Sequence, residues 1–190
     1  MPKTTEMGNG QAGGVGTEND PACVAGAACA VLDQCARFIG CLPEGCYARE
    51  SRVLKGGTIG KHVRHTVDHF AAAVGGLDAG EPIDYDHRSR EVPMETSPTV
   101  AMDAIARLRD RLVALDGPAM GRPVRVRVMV AGDGTEATLD SSLGRELHFA
   151  FHHAVHHHAM LKAIAGEFGV EAPSDFGVAP STVNYQRSGV

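Results

Sequence analysis

Four stretches of this sequence carry apolar residues three and four positions apart, and each is long enough for several helical turns. The first opens at Asp20-Pro21, with Asp as cap and Pro at the first helical position. It continues through Val24, Ala28, Val31, Leu32, Cys35, Phe38 and Ile39 to Gly40 and Leu42-Pro43. The second begins near Thr58 and runs through Ile59, Val63, Val67, Phe70 and Val74 to Gly75-Gly76. The third spans roughly Ser97 to Leu115, with Val100, Ile105, Leu108, Leu112 and Leu115 as its stripe, and stops at Gly117-Pro118. The fourth starts after Asp140 or Ser141 and runs to about Phe168-Gly169. An apolar stripe must be buried against another element, so four such helices predict an all-α four-helix bundle. Between the third and fourth helices, RPVRVRVMV, AGDG and TEATL predict a small β-hairpin over 122–139.

The rest of the chain fits one domain. Residues 1–20 are rich in Gly, Thr and Asn with little apolar content, and are expected to be a disordered tail. Residues 21–190 are then one helical-bundle domain, a reasonable size for 190 residues. Residues 77–93 form a long polar loop without helical period, and loops of that length are often functional. The last twenty residues read as coil or a short turn followed by a fray.

Composition removes several functions. The net charge of −5 shows no basic footprint, and with aromatics at 5% and no Trp there is little on which bases could stack, so no nucleic-acid partner is expected. The best membrane candidate, Pro21 to Ile39, carries Asp33 and Arg37, so no membrane partner is expected either. No apolar segment follows Lys3 as in a secretory signal, and the expected compartment is the cytoplasm. Cysteine is odd in number at 5, and Cys23, Cys29, Cys35 and Cys41 share the first helix and its end. They read as small buried residues of a reducing compartment. A cysteine nucleophile is poorly placed there, with Cys46 less constrained. No G-x-S-x-G elbow, P-loop or dinucleotide fingerprint is present.

Histidine is the unusual residue. Of the 10 histidines, six lie between 148 and 158, three lie at 62, 65 and 69, and the last is His87. His62, His65 and His69 share one face of the second helix. On the fourth helix, His153/His157, His148/His152 and His152/His156 are i, i+4 pairs, a spacing that lets two imidazoles reach one ion. A pair from one helix and a third imidazole from another make a three-nitrogen site with open positions, the layout of a catalytic metal centre. His153 and His157 lie on the inward track with Ala150, Leu161 and Ile164. His148, His152 and His156 lie about 100° to one side or less, nearer the boundary. Glu146 shares the inward track and could serve as a base or orient a ligand. A run such as HHAVHHH can by itself be a surface feature. The second cluster at matching spacing is what points to metal.

The segments IGKHVRHTVDHF, YDHRSRE, GRELHFAFHHAVHHHAML and FGVAPSTVNY together resemble the DinB-like (YfiT-like) superfamily. The likeness covers about residues 22–186. It implies an up-down-down-up bundle, often a homodimer, that binds a divalent metal, commonly nickel or zinc. The ligands are one His of the second helix and an HxxxH pair on the last. Some members are thiol-dependent S-transferases. Carried onto this chain, the pair is His153 and His157. The second-helix ligand is His65, which fits a His-x-x-Asp pattern ending at Asp68, with His69 as the alternative. In the loop, Asp86 and Arg88 lie near the site by this likeness. They read either as a clamp, together with Arg90, pinning the long loop to the bundle through Glu146, or as substrate contacts.

Two main readings follow, and a weaker third. The first is a metal-dependent enzyme, a hydrolase or thiol S-transferase acting on a small molecule or thiol, with Glu146 or Asp68 as base or orienter. The second is a non-catalytic protein that binds metal or a small ligand. The third is a metal-free cluster whose histidines bond one another and the carboxylates.

Overall fold

The structure is a computed structural model that describes residues 20–87 and 92–189. The expected tail falls almost wholly outside these residues, as do Arg88 and Arg90. In chain order the elements are α1 (Ala22–Gly40), α2 (Ile59–Ala79), β1 (Ile83–Asp84), a 3-10 turn (Pro93–Glu95), α3 (Pro98–Val113), α4 (Gly117–Met120), β2 (Pro123–Met129), β3 (Glu136–Ser142), α5 (Leu143–Glu167) and α6 (Pro180–Ser188).

The helix ends show why these segments begin where they do. The Asp20 carboxylate accepts the Ala22 N–H at 2.9 Å. Thr58 accepts the Lys61 N–H at 3.0 Å, Ser97 that of Val100 and Ser142 that of Arg145. Each hydroxyl or carboxylate satisfies a first-turn donor that has no partner inside its helix. Gly80 closes α2 with φ 65, a left-handed conformation that costs glycine little.

Helices α1, α2, α3 and α5 share the main core, with α2 packed most extensively on α5, and α1 on both α3 and α5. Leu32, Phe70, Ile105, Leu112, Leu147, Leu161 and Ile164 lie at its centre, almost without exposure. α1 is long and apolar enough to cross a membrane by length and composition, contrary to the sequence reading. Seven of its residues, Ala25 to Ile39, are buried in this core, and Asp33 pairs with Arg109 at 2.7 Å.

The expectation of an all-α, up-down-down-up four-helix bundle is corrected. The described residues form six α-helices and a three-stranded mixed sheet, so the fold mixes α and β. The hairpin itself is present: β2 and β3 pair antiparallel from Pro123↔Ser142 to Met129↔Glu136. What the sequence reading lacks is β1, which joins β2 in parallel through Ile83↔Val126 and Asp84↔Arg127. A two-residue strand in a polar loop has no periodicity to read, and only its partner defines it. Ile83, Tyr85 and Val126 then form a second small core, against which Ala72 and Phe149 pack. Gly76 permits this closure, because a Cβ there would strike the Ile83 side chain. The C-terminal α6, read as coil from the sequence, is almost wholly exposed.

Candidate metal centre

Residues 59–79 and 143–167 place their histidine faces against each other, because α2 and α5 are the most closely packed pair of helices. His65 from α2 meets His153 and His157 from α5. The Nε2 atoms of His65 and His153 lie 2.8 Å apart, and those of His153 and His157 lie 3.1 Å apart. One ligand atom from each of the three residues falls within 4.8 Å of the others.

These separations suit one ion. Three nitrogens bound at about 2.1 Å stand about 2.9–3.4 Å from one another in octahedral or tetrahedral geometry. The donor set also suits a metal chemically. Imidazole nitrogens serve zinc, nickel, copper and iron, and three neutral ligands leave coordination positions open. Burial, followed by the neighbouring His153, His62, His156 and His69, lowers the pKa of His157 to about 3. Its ring is therefore neutral at physiological pH, the form that binds metal. Three histidines, His65, His153 and His157, could thus hold a metal ion.

Around this trio the other predicted residues take distinct places. His69 is buried, and its Nδ1–H donates to the His65 carbonyl at 2.9 Å. Its ring stacks on His153 at 4.0 Å on one side and on Tyr85 at 5.0 Å on the other. Glu146 is buried, accepting the Tyr85 hydroxyl at 2.9 Å and the Ser141 hydroxyl at 2.6 Å. Glu146 therefore stands two rings from the trio, reaching it through Tyr85 and His69. Asp68 pairs with Arg64 at 2.8 Å, and Arg64 also donates to Glu95 at 2.9 Å. That chain of charges ties α2 to the 3-10 turn. Asp86 lies away from the trio and accepts the Met129 N–H at 2.8 Å. Beside it, Asp84 accepts the N–H groups of Asp86 and His87, and His87 lies 3.2 Å from Glu136. The described part of this loop is thus clamped to the hairpin.

Two contributors were not singled out as site residues in the sequence. His62 faces His157, with their Nδ1 atoms 2.9 Å apart. When His157 offers Nε2 to a metal, its Nδ1–H points at His62, the outer hydrogen bond that orients a metal-binding imidazole. Its spacing of three from His65 was the available signal. The second contributor is the segment before α2. Glu167, near the end of α5, accepts the Ser51 hydroxyl at 2.8 Å and the Arg52 N–H at 2.9 Å. This anchors 51–57 as the rim of a cavity of about 610 Å³. Lys55, Lys61 and Met160 line it, and His62, His65 and His157 form its inner wall. No periodicity marks such a rim, since it is built from a turn and the far end of another helix.

Of the four cysteines expected to be buried, Cys35 alone is; Cys23 and Cys41, at the two ends of α1, are exposed and Cys29 is half-buried. Cys35 is buried in α1, and burial pushes its thiol up to about 12, the opposite of what a nucleophile needs. Cys46, less constrained in the sequence, is buried as well.

No family model matches the chain, and no solved structure matches it significantly. A curated relative, FK506-binding protein 5 of Rhizopus delemar, is 34% identical over 104 residues, which is 54% of this chain. The chain spans only 27% of that protein's length.

Proposed function

We propose that this protein is a divalent-metal-dependent enzyme acting on a small molecule, with His65, His153 and His157 as the metal ligands. The observation that carries the reading is the convergence of three imidazole nitrogens within 4.8 Å of one another, two of them, from His65 and His157, on residues that line a cavity. The resemblance of its motifs to the DinB-like superfamily points the same way, and nickel or zinc suits the donor set. His65, His153 and His157 would hold the ion, and the chemistry it would supply there is Lewis acidity toward water or a thiol near neutral pH. Hydrolysis and thiol transfer are the two reaction types this chemistry serves.

The chain's own residues would divide the remaining work. His62 accepts the His157 Nδ1–H and so fixes which nitrogen of His157 faces the ion. The Lys61 ammonium, bonded to the Gly56 carbonyl at 2.8 Å, and Lys55 place positive charge on the cavity lining. That charge favours substrates with a carboxylate or phosphate. Arg64 is held between Asp68 and Glu95, so it shapes the wall with its charge already matched. Tyr85, held by Glu146, backs His69 against His153 and limits movement of that ring.

Elemental analysis of tag-free protein tests the reading. Wild type is expected to hold about one nickel or zinc ion per chain, and His153→Ala/His157→Ala to lose it. A wild type that binds no ion and shows no thermal shift with nickel or zinc would overturn it.

A further inference from the structure

The central trio leaves several histidines unused, and α5 sorts them by face. His153 is half-buried and His157 buried, whereas His148, His152 and His156 are all exposed. Positions 148, 152 and 156 advance by about 40° per step around an α-helix, so they form one slowly turning stripe. The inner pair gives a ruler for the outer one. The rings of His153 and His157, four residues apart, have centroids 4.5 Å apart. The rings of His148 and His152, also four residues apart on the same helix, have centroids 4.5 Å apart. Both outer side chains are exposed, and their rings also lie against Phe151, with centroids 6.0 Å away for His148 and 5.6 Å away for His152. His156 lies beside the inner pair, with its ring 5.5 Å from that of His157 and 6.4 Å from that of His153.

We propose that His148 and His152 form a second metal site, an exposed two-imidazole chelate for a nickel, copper or zinc ion. Two imidazoles at i, i+4 complete only half of a tetrahedral shell, and water supplies the rest. Arg145 stands close enough to His148 to oppose a cation. The outer site is therefore the weaker and more exchangeable of the two.

The test is a calorimetric titration of the chelator-stripped, tag-free full chain with zinc alone. Wild type is expected to show two classes of site, with the second at least tenfold weaker than the first. His148→Ala/His152→Ala removes only exposed side chains, and is expected to keep the tight class and lose the weak one. His153→Ala/His157→Ala is expected to do the reverse. A wild type that shows the tight class alone, or a weak class that survives His148→Ala/His152→Ala, overturns the outer site. Loss of the tight class from wild type alone would instead count against the central metal reading and leave the outer site standing. Far-ultraviolet circular dichroism of each variant shows that the fold is kept.

Discussion

His157 and His158 are neighbours in the chain, both are buried, and α5 sends them to opposite fates. His157 faces α2 and packs against the rings of His62, His65 and His153, with hydrogen-bonding contacts from both ring nitrogens. His158, about 100° further round the helix, is fully buried and stacks on Phe176 at 4.3 Å. Neither of its ring nitrogens has a hydrogen-bond partner among the described residues. Burial lowers the pKa of His158 to about 4, close to the value of about 3 reached by His157. A depressed pKa therefore does not mark a site here. What distinguishes the trio is convergence of nitrogens from two helices next to a cavity.

The largest effect on the His158 environment is expected at Gly177. This residue has φ 74, and a Cβ there would land on the Ala159 backbone. It lets the segment carrying Phe176 close over His158. Gly177→Ala is expected to cost about 3 kcal/mol, because it combines backbone strain with a steric clash. Denaturant unfolding measures that loss. By NMR the His158 ring should then titrate closer to 6.5, with zinc affinity at the trio changed less than tenfold. An unchanged midpoint and an unchanged His158 titration would show that Phe176 does not depend on this glycine.

A second substitution sharpens the contrast through acid. His158 binds its proton in the unfolded chain near pH 6.5, but in the folded protein only near 4. Between those values the unfolded state holds more protons, so stability falls as pH falls. The contribution is at most about 3 kcal/mol. His158→Leu removes this titration and an unpartnered buried polar ring. It is expected to match or exceed wild-type stability at pH 7 and to lose less on acidification to pH 4.5. Urea midpoints at the two pH values decide it, and equal acid sensitivity in both proteins would count against this account of His158.

The smallest effect is expected on the metal side, at Tyr85→Phe. The variant keeps the ring beside His69 but leaves the buried Glu146 Oε2 without its 2.9 Å hydrogen bond. The expected cost is about 1–2 kcal/mol of stability, with zinc affinity reduced less than tenfold. A loss of binding comparable to that of His153→Ala/His157→Ala would mean that Tyr85 takes a direct part in the centre.

Periodicity made the long helices legible. The stripe through Val31, Leu32, Cys35 and Phe38 packs inward as its spacing requires, and the basic alternation of 123–129 pairs as a strand. The three-and-four spacing of Ala150, His153, His157 and Leu161 likewise separates the inner imidazoles from the exposed His148, His152 and His156. Elements defined by a partner were not legible. β1 is two residues long and exists through Val126 and Arg127. Glu146 sits on the inward track two turns before His153, yet Tyr85 and Ser141 take both of its oxygens. The sequence shows which face a residue occupies, but not which neighbour reaches it first.

By itself, then, the sequence determined which residues could meet: helical spacing fixes direction around an axis, and direction selects a face. Tertiary packing decided which ones do. The register of α2 against α5 put His65 opposite His153 and His157, and placed His62 behind His157. The same packing turned His158 toward Phe176 and stretched 51–57 across the cavity under the hold of Glu167. Those choices rest on contacts between residues as far as 116 positions apart in the chain, a range over which local periodicity carries no information.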